Sequence, residues 1–218
     1  MRIVGEMRVP GDKSISHRAL LLAALGAGRS RVRGILDSAD VRSTAGTLRA
    51  LGADVPALAS EIVVDGIGVH GIRPPSAALD CGNSGTTARL LAGVVAASPI
   101  VARFVGDASL SRRPMRRVAR PLEAMGARFE FDALDGLPMT VYGGPLCSID
   151  WNNETSSAQV KSAILLAGAI AGVEVSVTET RRSRDHTERM LAARGVSVDV
   201  SGARVTVRRD APIASRDT

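Results

Sequence analysis

Three phrases in this sequence set hydroxyl and basic side chains directly before unusually apolar runs. They are KSISHRALLLAAL from Lys13, NSGTTARLLAGVVAA from Asn83 and SSAQVKSAILLAGAIA from Ser156. The first turn of a helix presents unpaired N–H groups and a partial positive charge, so it favours anions. Each such end contributes about 0.3–1 kcal/mol toward a nearby negative charge at an exposed site. Three of them on one surface, among Lys13, Arg18, Arg89, Arg113 and Lys161, would make a site for a small polyanion. The matching serines Ser14, Ser84 and Ser157 recur at spacings of 70 and 73 residues. A lone serine there is usually an ordinary N-cap; the threefold recurrence is what favours a shared site.

Several other residues have plainer readings. Arg112, Arg113, Arg116 and Arg117 fit a solvated helix face, although Arg113 stands directly before Pro114, where a helix commonly begins. His17, His70 and His186 lack metal-ligand spacing, and His17 reads as a structural partner. Asp185 and Glu188 read as first-turn helix charges, favourable to the dipole. Cys81 and Cys147 carry no metal spacing and read as free thiols in a reducing compartment. No nucleophile motif, nucleotide phosphate loop or dinucleotide fingerprint is present.

The elements that must position these groups repeat with them. After each apolar run comes a strand-like phrase: RSRVRGIL, IVARFVGD or VEVSVTET. A second, amphipathic helix follows, ending in LRALGADV, LEAMGARF or LAARGVSV. Its glycines Gly52, Gly126 and Gly195 fall where a helix C-terminus needs positive φ. A closing strand completes each unit: EIVVDGI, LPMTVYG or ARVTVRR. The first helix of each unit is apolar nearly all round, which implies burial on every side. Its Ala and Gly content predicts that the three copies approach each other closely. The result is one α/β domain over 10–210, with helices inside and sheet outside. MRIVGEMRV reads as a leading strand over 1–9 with no counterpart in the first unit. Residues 211–218 read as a polar tail or crossover segment that breaks the pattern.

Composition agrees. The chain has 218 residues, 45% hydrophobic but only 2% aromatic, with a formal net charge of +6. A basic balance suits anionic partners. The scarcity of aromatics argues against single-stranded nucleic acid, where bases stack on aromatic rings. The start has no signal-peptide pattern, and the apolar runs fall short of the roughly 20 residues of a membrane span. The expectation is a cytoplasmic protein with no membrane or nucleic-acid partner.

The strings PGDKSISHRALLLAAL, GNSGTTARLLAG, GDASLSRRPM, SSAQVKSAILLAG and SRDHTERML resemble, in order, the motifs of the 3-phosphoshikimate 1-carboxyvinyltransferase (EPSP synthase) family. The resemblance covers essentially the whole chain. It implies an inside-out α/β domain of three βαβαββ-like units, one half of a two-domain enolpyruvyltransferase fold. It implies transfer of the enolpyruvyl group of phosphoenolpyruvate to the 5-hydroxyl of shikimate 3-phosphate, in chorismate and aromatic amino-acid biosynthesis, without a cofactor.

Carried over by motif, Lys13 lies between the substrates and touches both. Ser14 and Arg18 hold the shikimate carboxylate and neighbouring groups. Ser157, the Ala158 backbone and Gln159 contact shikimate 3-phosphate, with Ser183 or Arg184 adding a phosphate contact. Gly85, assisted by Asn83, and Arg113 receive phosphoenolpyruvate. Gly11-Asp12-Lys13, Ser157-Ala158-Gln159 and Arg184-Asp185-His186 resemble the second class of the family. His186 then stands where the other class has a tyrosine, and glyphosate sensitivity stays open. The resemblance further implies an absent C-terminal domain that carries the proton-transferring acids, a monomeric whole enzyme, a leading strand that belongs with that domain, and no turnover by this half alone. A sister enzyme acting on a UDP-sugar, a basic nucleic-acid-binding module and a ligand-free structural half are the rival readings.

Overall fold

The computed structural model describes residues 4–5 and 9–218. The leading strand expected over 1–9 lies outside the described residues except for Val4, Gly5 and Val9, which carry no regular secondary structure.

The second unit runs β3 (Leu79–Asp80), α3 (Gly85–Ala96), β4 (Val101–Val105), a short α4 (Ala108–Ser111), α5 (Arg116–Ala124), β5 (Arg128–Phe131) and β6 (Met139–Tyr142). The third runs β7 (Ile149–Asn153), α6 (Ala158–Ala171), β8 (Val175–Glu179), α7 (His186–Ala192), β9 (Ser197–Ser201) and β10 (Arg204–Arg208). Their sheets have the same order, β3-β4-β6-β5 and β7-β8-β10-β9. In each, the first pair is parallel and the rest antiparallel. The first unit holds α1 (Lys13–Leu25), β1 (Ala27–Arg33), α2 (Ala39–Ala50) and β2 (Glu61–Ile67). There β1 and β2 pair antiparallel along their full length.

Among the described residues no strand precedes α1, and the segment read as a polar tail lies beside β1. Ala214 bridges Ala27 in parallel. The Ala27 N–H donates to the Ile213 carbonyl at 2.8 Å, and the Arg33 N–H donates to that of Thr218 at 2.8 Å. Ile213 is buried. The tail thus takes the place beside β1 that β3 takes beside β4. Its polar composition suits an edge strand with one apolar anchor, which a pattern scan reads as a loop.

The glycines of the repeat behave as their spacing predicts, with φ of 98° at Gly52, 118° at Gly126 and 82° at Gly195. The apolar helices α1, α3 and α6 are buried over nearly their whole length. Their packing is less symmetric than expected. Only α3 and α6 meet backbone to backbone: a Cβ on Gly93 would collide with the Ala163 carbonyl oxygen. Helix α1 has no glycine and carries Leu20, Leu21, Leu22 and Leu25, whose bulk holds its backbone off. It packs on α2, α7 and the β1–β2 pair. Between α1 and α6 the Arg18 side chain reaches across to Ser162.

Candidate functional site

Each buried helix begins differently at the atomic level. The α1 N-cap is Asp12, whose carboxylate accepts from the Ile15 N–H at 2.8 Å. Ser14, read as the equivalent of the other two serines, is instead inside the first turn. Its hydroxyl is therefore free to face outward, where it accepts from Arg184 Nη1 at 2.9 Å. Ser84 caps α3 by accepting from the Thr87 N–H at 3.1 Å. Ser157 is the N-cap of α6 but makes no capping bond with its side chain, which leaves that hydroxyl uncommitted.

Two clusters grow from these ends. Around α6, the residues Ser156, Ser157, Ala158, Gln159, Arg182, Ser183 and Arg184 line an open cavity of about 550 Å³. Ser156 holds a left-handed backbone, φ 46°, unusual for a side-chain-bearing residue. Its hydroxyl accepts from the Arg181 N–H at 2.9 Å, tying the 181–184 loop to the start of α6. Around α3, a Cβ at Gly85 would lie 2.6 Å from Arg89 Nη1 and 3.6 Å from Arg113 Nη1. A side chain here would push on the end of the buried Arg89, while Arg113 lies at ordinary contact distance. Arg113 Nη2 donates to Asn83 Oδ1 at 2.5 Å, and Asn83 Nδ2 donates to Asp107 at 2.6 Å.

Side chains join the clusters into one surface. Gln159 accepts from Arg89 Nη1 at 2.8 Å and donates to Thr86 at 2.9 Å, linking α6 to α3. Arg184 links the α6 cavity to Ser14, and Lys13 beside it pairs with Asp40 at 2.7 Å while staying half exposed. Lys13, Ser14, Asn83, Gly85, Arg113, Ser157, Ala158, Gln159, Ser183 and Arg184 therefore lie along a chain of contacts across the amino ends of α1, α3 and α6.

Arg18 sits beneath that surface. Its Nε donates to Thr187 at 2.6 Å, Nη1 to the Ser14 carbonyl at 3.0 Å and Nη2 to Ser162 at 2.7 Å. A guanidinium has five N–H groups, so one remains on each terminal nitrogen. Burial, reinforced by Arg184, pulls its pKa down to about 10, and it stays charged at neutral pH. Arg89 has a similar environment. It is buried, and its pKa falls to about 10 through burial and the nearby Arg117 and Arg113. Its Nε has no hydrogen-bond partner. Its place one helical turn after Gly85 is the sequence signal for a group on the same face.

Lys161 does not belong to the anion-facing set. It is buried and ion-paired to Glu179 at 2.8 Å and to Glu188 at 2.7 Å. Glu188 stands in the first turn of α7 as read, and is buried in this triad. The signal was available: a lone lysine inside an apolar helix needs a partner, because an unpaired buried charge is very costly. Cys81 is buried, which raises its thiol pKa to about 12, and Cys147 is exposed. Among the described residues no group of three His, Cys, Asp or Glu could hold a metal ion. No helix among them is long and apolar enough to cross a membrane.

Three βαβαββ-like units with cationic helix ends on one surface define a domain of the enolpyruvyltransferase fold. The enolpyruvyl transferase NikO from Streptomyces tendae shares that fold, with a TM-score of 0.70 over 99% of this chain and 51% of that chain, at 17% identity. More specifically, the model of the EPSP synthase (3-phosphoshikimate 1-carboxyvinyltransferase) family matches residues 1–211, and the chain belongs to that family. It is similar to the 3-phosphoshikimate 1-carboxyvinyltransferase of Alkalilimnicola ehrlichii, 51% identical over 205 residues, which are 93% of this chain and 46% of the relative. The enzyme of that name from an Anaeromyxobacter species is 52% identical over 215 residues, 97% of this chain and 49% of the relative. The structure of EPSP synthase from Acinetobacter baumannii superimposes with a TM-score of 0.94 at 40% identity, over 98% of this chain and 48% of that chain. The chain thus spans about half the length of the relatives it matches.

Proposed function

We propose that this chain is the substrate-binding half of an enzyme that transfers the enolpyruvyl group of phosphoenolpyruvate to the 5-hydroxyl of shikimate 3-phosphate. The observation that carries this reading is the single cationic surface made by the starts of three buried helices, with a hydroxyl- and amide-lined cavity at one end and an arginine-capped glycine turn at the other. The cavity of Ser157, Ala158, Gln159 and Arg184 suits the phosphate of shikimate 3-phosphate; Ser183 lines it, but both of its donors go to Glu179, so of the two residues expected to add a phosphate contact Arg184 is the one that can. Ser14 and the free N–H groups of Arg18 suit its carboxylate. A parallel pair of N–H donors matches the two oxygens of such a group. Gly85, Asn83 and Arg113 suit phosphoenolpyruvate, with Arg89 adding charge from beneath. Lys13, at the edge of α1, lies between the two and can serve both.

Addition of the hydroxyl across the enol double bond and loss of phosphate need groups that move protons at the reacting carbon. The residues of this surface suit binding and neutralising anions; the acids are assigned to the half of the family's length that this chain does not span. The chain alone is therefore expected to bind shikimate 3-phosphate weakly and not to turn over. The whole enzyme is read as a cytoplasmic monomer that needs no cofactor.

The test is an amide-resolved NMR titration with shikimate 3-phosphate, a UDP-sugar and duplex DNA, beside a steady-state assay. Saturable shifts at Ser14, Ser157, Ala158 and Ser183 with shikimate 3-phosphate alone are expected, with no turnover. Equal response to the UDP-sugar, salt-sensitive binding of DNA, or turnover by the purified chain would each refute the reading.

A further inference from the structure

Glu179 ends strand β8 and is 4% exposed. Each of its carboxylate oxygens accepts two hydrogen bonds. Oε1 receives Asn153 Nδ2 at 3.1 Å and Ser183 Oγ at 2.7 Å. Oε2 receives Lys161 Nζ at 2.8 Å and the Ser183 N–H at 3.0 Å. A carboxylate has about four acceptor positions, so nothing is left for a ligand. Its partners tie it to two segments that line the cavity, directly through Ser183 and through Asn153 to Ser157. Ser183 belongs to the loop that lines the cavity. Asn153, paired with Glu179 in the parallel register of β7 and β8, donates also to the Ser157 carbonyl at 3.1 Å, at the α6 start.

We infer that Glu179 is a positioning residue for the phosphate cavity, setting the distance between the Ser183 loop and the start of α6 without touching substrate. The inference rests on the reading of that cavity as the phosphate site. Burial by itself would raise the Glu179 pKa, but the bonds from Lys161 and Ser183 outweigh it and hold it below the ordinary range. Being ionised, the carboxylate only accepts, so Ser183 must donate its single hydroxyl hydrogen to it. Ser183 then anchors the loop, and the Arg184 guanidinium faces the phosphate. Lys161 and Glu188 complete a buried cluster of alternating charge that keeps the carboxylate in place.

The experiment compares shikimate 3-phosphate with shikimate, which lacks only the phosphate, by NMR titration of the full chain. The variants are Glu179→Gln, which removes the charge and turns one of the two acceptor oxygens into a donor, and Asn153→Ala, which cuts the link to Ser157 and leaves the ion cluster whole. Each variant is expected to bind shikimate 3-phosphate about tenfold more weakly, with shikimate affinity and amide shifts away from the cavity unchanged; tenfold corresponds to about 1.4 kcal/mol. Unchanged preference for the phosphorylated ligand would overturn the inference. So would equal loss of both ligands, or unfolding of both variants, since each marks a purely structural role. A wild-type chain that binds shikimate 3-phosphate no more tightly than shikimate would overturn the reading of the cavity, and the inference with it.

Discussion

Acid should weaken this domain through His17 before its carboxylates begin to titrate. His17 is 1% exposed. Its Nδ1 hydrogen-bonds Thr44 Oγ1 at 2.6 Å, and Nε2 is buried with no partner. Burial lowers its pKa from 6.5 to about 4; Asp40 and, less so, Asp12 oppose the shift, and Lys13 and Arg18 add to it. Between those two values the unfolded chain holds a proton that the folded chain does not. Stability then rises with pH across the window and falls as the solution is acidified through it. The whole window is worth about 3 kcal/mol, and acidification from pH 7 to pH 5 removes roughly 2 kcal/mol of it. His17→Gln keeps a hydrogen-bonding group near Thr44 and removes the titration. Urea unfolding of both proteins at the two pH values isolates the effect, because contributions from His70, His186 and the carboxylates cancel in the difference. The wild type should lose roughly 2 kcal/mol more than the variant. Equal losses would mean that the imidazole is protonated in the folded chain, and the argument from burial would fail.

Three further predictions concern packing and local structure. Gly93→Ala should cost about 1–3 kcal/mol in thermal or urea unfolding, since α3 and α6 must separate to admit the methyl group. Gly46→Ala on α2, where no atom lies within 4 Å, should instead stabilise by roughly 0.5–1 kcal/mol. Removing residues after Pro212 strips the strand beside β1 and the buried Ile213. It should cost roughly 3 kcal/mol and raise hydrogen exchange at the β1 amides; exchange unchanged from wild type would show that the tail is dispensable.

The threefold plan was legible because each unit solves the same problem with the same residues. An all-apolar helix must be buried, an amphipathic one must cover sheet, and a glycine must turn the chain after it. Those are local constraints, and Gly52, Gly126 and Gly195 satisfy them as their spacing predicts. What stayed illegible depends on partners far along the chain. Asp12 outcompetes Ser14 as a cap because it stands directly before the first turn of α1, a shift too small for a repeat alignment to register. The tail finds its place only because β1 has an open edge 186 residues earlier, as the bond from the Arg216 N–H to Ser30 illustrates. The displacement of α1 from the close α3–α6 contact depends on side-chain volume summed over three helices, which periodicity does not carry.

The same distinction separates the basic residues of the site. Sequence placed Lys13, Arg18, Arg89, Arg113 and Lys161 together as one cationic set, and charge alone cannot divide it. Their partners divide it. Lys161 has two carboxylates in contact, so its charge is spent inside the domain. Arg18 bonds Thr187, Ser162 and the Ser14 carbonyl; Arg89 bonds Gln159 and the Pro114 carbonyl; Arg113 bonds Asn83 and Ser109. All of these acceptors are neutral. They orient a guanidinium without a direct ion pair; Glu188 and Asp12 act on Arg18, and Asp135 on Arg89, only through space, and burial has already weakened the solvent's share for both. Removing a cation from water without a counter-charge is unfavourable, and the crowding of Arg89, Arg113 and Arg117 adds repulsion. On the function proposed above, an anion at Gly85 or at Ser14 would supply the missing ion pair, and rigid helix ends with buried arginines would favour a doubly charged ligand because its binding relieves a cost built in at folding.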